Sequence, residues 1–124
     1  MTIGQFSSVT GIVESTLRYY EKKGLIRIAR DKNNRRNYSE ADITWVQFIQ
    51  KLKNTGMMLK DIQRYSDLRY EGDSTMEERL EMLKIHKKYV DEQCARWNGY
   101  AKNLDDKMDF YRERIKKLRV RTKV

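Results

Sequence analysis

The sequence has no proline, a single cysteine, a single histidine and only six glycines among its 124 residues. Without proline, no X-Pro bond slows folding and no residue is obliged to break a helix. The lone Cys94 cannot form an internal disulfide, so a reducing, cytoplasmic setting is expected. No apolar run reaches membrane-spanning length and no leader pattern is read, so no membrane partner is expected. Apolar residues are also scarce, 39% against 36% charged. A compact domain of this size usually carries more, which points to a part of the chain that is elongated and solvated. One histidine and one cysteine make no catalytic triad and supply two of the four ligands a closed zinc site needs. No phosphate-cradling glycine loop is present. The chain is therefore not read as an enzyme, and no cofactor or metal is expected.

What the chain has is positive charge, a net +9 with a pI near 9.7. Residues 1–70 hold 13 Lys+Arg against 7 Asp+Glu, and residues 71–124 hold 14 against 11. The excess is densest from Glu14 to Tyr38, where eight basic residues face three acidic ones. On charge alone, a field of this sign would fit any polyanion, nucleic acid or an anionic membrane surface, and a merely soluble basic protein has the same balance.

Apolar spacing divides the chain. Thr2 is placed as the N-cap of a first helix carrying Ile3, Phe6 and Val9, broken at Gly11. A second helix over Val13–Lys23 is closed by Gly24, and the pair reads as a helix-turn-helix. Residues 25–38 lack helical spacing; extended arms around Ile26–Arg30 and Arg35–Tyr38, turning at Asn33-Asn34, predict a small hairpin, or wing. Ser39, with Asp42 at the capping-box position, opens a third helix with Ile43, Val46, Ile49 and Leu52 on one face, ended by Gly56. A fourth carries Leu59, Ile62, Tyr65 and Leu68, and Met57-Met58 offers it no side-chain cap. Residues 71–74 are read as a linker, with Asp73 or Ser74 capping a fifth and longer helix.

The strongest periodic signal comes last. Met76, Leu80, Leu83, Lys87, Val90, Cys94, Trp97, Ala101, Leu104, Met108, Tyr111, Ile115 and Leu118 alternate at spacings of four and three, a heptad seam with Lys87 as its polar member. A helix over 75–118 would be roughly 65 Å long. A stripe so narrow and long needs a second helix, most simply its own copy, so a homodimeric, antiparallel coiled coil is expected. Its interface would use Leu80, Leu83, Val90, Cys94, Trp97, Ala101, Leu104, Met108 and Tyr111. Residues 119–124 are expected to form a disordered basic tail. Cys94 is either a small seam residue or, across an antiparallel partner, half of a redox-linked disulfide. Lys87 either fixes register or snorkels.

On the second helix, Val13, Leu17 and Tyr20 fall on one side, expected to face the core. Ser15, Arg18, Tyr19 and Lys22 fall on the other. That second stripe offers a hydroxyl, a guanidinium, a phenol and an ammonium, the groups that bind phosphates and base edges. An ordinary solvated helix face has the same make-up, but a helix-turn-helix before it and a basic hairpin after it favour a DNA reader. Arg35, Arg36 and Tyr38 on the second arm are expected to reach a groove or a phosphate.

These residues resemble a known family. Thr2-Ile3-Gly4-Gln5-Phe6, then Thr16-Leu17-Arg18-Tyr19-Tyr20-Glu21 with Gly24-Leu25-Ile26, then Arg36-Asn37-Tyr38-Ser39-Glu40-Ala41-Asp42-Ile43 look like the MerR family of transcription regulators over residues 2–70. The fold implied is mainly α, a winged helix-turn-helix over 1–70 followed by a coiled-coil dimerisation helix. The resemblance implies a dimer on a pseudo-palindrome within a promoter, which distorts double-stranded DNA to realign it for RNA polymerase. Family DNA contacts fall on Thr16, Arg18, Tyr19, Arg36 and Tyr38, with Lys60 near the start of the fourth helix. An architectural DNA-bending or coiled-coil interaction protein is the competing class. Residues 71–83 resemble the aldehyde- and thiol-responsive branch, but Lys51 stands where that branch has a cysteine. The usual wing prolines are replaced by Arg27-Ile28 and the wing-tip glycine by Asn34, which leaves the path of the wing open, and Lys51 in place of that cysteine leaves the effector unnamed.

Overall fold

A computed structural model describes residues 1–123. The order of elements is α1 (Ile3–Thr10), α2 (Glu14–Lys22), β1 (Ala29–Arg30), β2 (Arg36–Asn37), α3 (Glu40–Asn54), α4 (Leu59–Glu71), a 3-10 turn at Asp73–Thr75, and α5 (Met76–Lys123). Helices dominate, and the strands pair antiparallel as one small hairpin, Ala29 with Asn37 and Arg30 with Arg36. The contacts divide into two units, Met1–Lys84 and Ile85 onward.

Local signals set most boundaries. Thr2 caps α1 through its hydroxyl, and Gln5 answers by accepting from the Thr2 amide, a complete capping box. Ser39 and Asp42 form the second box, at α3. Met58 stands at the start of α4 with no side-chain cap. Gly24 follows α2 with φ +76°, a backbone state that costs glycine little and other residues more. Asn34 turns the wing with φ +60°, as an asparagine tolerates.

The first unit is built on Phe6, Ile12, Leu17, Tyr20, Val46 and Ile49, all nearly withdrawn from water. One expected core position is corrected. Val13 is 62% exposed, because the extended residue before α2 turns its side chain outward and Ile12 fills the core instead. On α1, Phe6 is buried and Val9 is exposed. The turn after α2 is tied to both later helices. The Leu25 carbonyl accepts from Trp45 Nε1 at 3.0 Å and from Ser66 Oγ at 2.6 Å. Both bonds are buried, where a hydrogen bond is worth most and its loss costs most.

Residues 71–74 are not a free linker. Gly72 ends α4, and the buried Thr75 hydroxyl donates to the carbonyls of Leu68 and Gly72. Arg79 adds bonds to Thr75 Oγ1 and the Gly72 carbonyl, at 3.0 and 3.2 Å. Thr75, rather than Asp73 or Ser74, ties the chain there. Leu83, expected at the dimer seam, packs with Met82 against the core of its own unit.

In the second unit α5 runs on past Leu118. The expected disordered tail is helical through Lys123, and only Val124 lies outside the described residues. No glycine or proline interrupts this end, and basic side chains suit a helix C-terminus. Lys87 reaches Asp91 at 2.7 Å and Lys102 reaches Asp106 at 3.1 Å, both exposed pairs one turn apart. Among the described residues, no helix is long and apolar enough to cross a membrane.

Candidate nucleic-acid interface

The periodicity of α2 separates two faces. Leu17 and Tyr20 are buried, while Ser15, Arg18, Tyr19 and Lys22 are exposed and Thr16 is half-buried at the edge. Arg18 is held by Glu14 one turn earlier at 3.3 Å, a pair half in water and therefore weak. It orients the guanidinium without binding it tightly. Lys23 lies 5.8 Å from the centre of the Tyr19 ring. The stripe thus offers hydrogen-bond donors and a planar phenol on a firmly packed helix.

The wing comes next along the chain. Its tip is organised by Asp31, whose carboxylate accepts from the amides of Asn33 and Arg35 at 2.8 and 3.0 Å. The Arg35 amide, followed by that of Asn33, holds the Asp31 carboxyl below the usual range. Arg35 itself is exposed. Arg36 is half-buried, with Nε 2.8 Å from Glu21 Oε2, while Arg30 Nη2 lies 2.6 Å from Glu21 Oε1. The Glu21 bond, ahead of its charge, lifts the Arg36 guanidinium further above its ordinary value, so it stays cationic.

Tyr38 corrects the expectation of a groove contact. It is 2% exposed and stacks on Phe6 with ring centres 4.3 Å apart. The reason is the two-residue period of an extended chain, which sends Arg36 and Tyr38 to the inner side and Arg35 and Asn37 outward. Its hydroxyl is buried without a partner among the described residues. Burial, and after it the charge of Glu21, pushes this phenol above the tyrosine range. Lys60 is exposed in the first turn of α4.

The structure therefore brings Ser15, Arg18, Tyr19, Lys22, Arg35 and the outer edge of Arg36 to the surface of one unit, and withdraws Tyr38. The residue of this surface that the sequence pattern did not single out is Glu21, which pairs with both Arg30 and Arg36. The signal lay in the three acidic residues of the basic segment: Glu14, Glu21 and Asp31 each hold a basic side chain or the wing tip. Among the described residues, no group of three or more His, Cys, Asp or Glu gathers as a metal site. Cys94 is exposed in the single chain.

Comparison with known proteins decides the family. The profile described as MerR HTH family regulatory protein matches residues 1–68, and that described as MerR, DNA binding matches residues 43–107. The chain belongs to the MerR family. An uncharacterised HTH-type transcriptional regulator of Haemophilus influenzae is 38% identical over 113 residues, 90% of this chain and 84% of that protein. A solved MerR family structure, HiNmlR, described as lacking the sensor domain and bound to promoter DNA, superposes with a TM-score of 0.79. It is 38% identical, over 90% of each chain. A MerR family regulator described as putative, from Listeria monocytogenes, superposes with a TM-score of 0.85 at 29% identity, over 90% of this chain and 85% of that one. This MerR chain is, by family, a sequence-specific DNA-binding regulator of transcription.

Proposed function

We propose that this chain works as a homodimer in the cytoplasm, binding a pseudo-palindromic site in promoter DNA and altering transcription by distorting that DNA for RNA polymerase. The observation that carries the DNA-reading half is the exposed stripe Ser15, Arg18, Tyr19 and Lys22 on a helix whose opposite face is locked by Leu17 and Tyr20. A helix presented in this way suits the major groove, with Arg18 and Tyr19 near base edges and Ser15, Thr16 and Lys22 near phosphates. Arg35 and the free edge of Arg36 suit the flanking backbone or the minor groove, and Lys60 a phosphate. The promoter-bound MerR relative supports this reading.

The dimer rests on α5. Val90 is half-buried, and Cys94, Trp97, Ala101, Leu104, Met108 and Tyr111 are exposed along one heptad stripe. A stripe of this kind left in water favours a second copy of the helix, packed antiparallel. Leu80 begins the stripe at its N-terminal end, 53% exposed. The test is footprinting across the DNA upstream of the protein's own gene, paired with transcription from that fragment by purified RNA polymerase. A protected two-fold site with a change in open-complex formation supports the reading. Protection without any effect on transcription favours an architectural DNA-bending role instead.

A further inference from the structure

We propose that Glu21 is a positioning residue for sequence discrimination: its carboxylate locks Arg30 and Arg36 of the wing to the recognition helix, so that removing this negative charge weakens specific DNA binding. The inference rests on the reading of α2 and the wing as the DNA reader.

Three observations lead to it. First, Glu21 uses its two oxygens on two different strands, Oε1 on Arg30 of β1 at 2.6 Å and Oε2 on Arg36 of β2 at 2.8 Å. Arg30 and Arg36 are direct partners across the hairpin, where like charges repel. One carboxylate between them offsets that repulsion and pins both strands to α2. Second, the Glu21 side chain is only 19% exposed, against 45% for Glu14 and 62% for Asp67 in the neighbouring pairs. Its attractions are screened less than those of an open surface pair. Third, each strand is two residues long, so the hairpin has little bonding of its own to fix its angle to the helix. Arg36 commits its Nε edge to Glu21, and its two Nη groups bond to nothing among the described residues. A guanidinium has donors to spare, so one edge is tied while the other is presented.

Charge and geometry now predict opposite results. A carboxylate on a DNA-facing surface repels phosphate, so charge alone says that Glu21→Gln binds every duplex more tightly. A positioning role says that the loosened wing and helix no longer match one site together. The probes are a duplex enriched from a random library by the wild-type protein and a random-sequence duplex of the same length. Both are titrated by fluorescence anisotropy at one salt concentration, with Tm measured alongside. For Glu21→Gln we expect binding about tenfold weaker on the enriched duplex. On the random duplex we expect it about twofold tighter, with Tm close to wild type. Glu21→Asp keeps the charge on a shorter arm; it should lose discrimination without the gain on random DNA. Tighter binding of Glu21→Gln to both duplexes overturns the inference. So does weaker binding to both with a lowered Tm, which would make Glu21 a residue of the fold only. Unchanged discrimination in Glu21→Asp also overturns it. Wild-type protein that enriches no sequence at all overturns the DNA-reader reading and this inference with it. An enriched sequence that Glu21→Gln reads equally well overturns the inference alone.

Discussion

Val46 and Ile49 lie on one face of α3 and are wholly withdrawn from water, whereas Trp97 and Leu104 lie on one stripe of α5 and are 69% and 67% exposed. Both sets are spaced for a helix. In the first unit a broad apolar face meets other elements of the same chain, and Trp45 and Phe48 of α3 both lie against Tyr65 of α4. In the second unit the stripe is narrow, repeats every three and four residues, and among the described residues no other element of that unit faces it. Periodicity therefore says which residues share a face; the width of that face says whether its cover is the chain itself or a copy.

The comparison can be broken most forcefully in the core. Ile49→Ala should cost about 2–5 kcal/mol and lower Tm equally at every protein concentration. Leu104→Asp should behave in the opposite way: little change in the melting of the first unit, but loss of self-association by analytical ultracentrifugation. A Leu104→Asp protein that sediments like wild type would mean that the exposed stripe is not an interface. Arg18→Ala removes a side chain that no core contact uses, so affinity for the enriched duplex should fall by about 1–3 kcal/mol with Tm unmoved. A parallel fall in Tm would place Arg18 in the fold rather than on the reading face. Ser66→Ala should cost about 1 kcal/mol of stability, because the Leu25 carbonyl keeps its bond from Trp45.

The smallest effect is at the wing tip. Asp31 has a lowered pKa in the folded chain, so folding favours its ionised form. That stabilisation is present at neutral pH and fades as pH falls through the folded value, below the ordinary carboxylate range. The amide resonances of Asn33 and Arg35 should shift with this titration, and those of Trp45 and Ser66 should not. Resonances of the tip that ignore acid would show that the Asp31 bonds do not form in solution.

Much of this was legible in the residues. Thr2, Ser39, Gly24 and Asn34 act through their own backbone neighbours, so their roles at caps and turns are written locally. The stripe Ser15, Arg18, Tyr19 and Lys22 was legible for the same reason, since three or four residues of spacing fix a helix face. Glu21 was not, because its partners lie nine and fifteen residues away on strands whose placement depends on the whole unit. Tyr38 misled because a tyrosine two residues past an arginine reads as part of a basic patch, while the pleat sends it inward on the Arg36 side, to stack on Phe6. Leu83 misled because the heptad count runs straight through the point where the first unit ends.

The two tryptophans fall one on each side of that divide. Trp45 is 6% exposed, bonded to the Leu25 carbonyl, stacked on Tyr65 at 5.9 Å and covered by the Arg69 guanidinium at 4.3 Å. Trp97 stands mostly in water, with Tyr100 edge-on at 5.8 Å. In the single chain, the same excitation light thus draws emission from one dry indole and one wet one. Unfolding of the first unit reddens the dry emitter, whereas docking of anything apolar along α5 blues and brightens the wet one. The two events shift the spectrum in opposite directions, so this protein reports its own folding and its own association in one cuvette without a label.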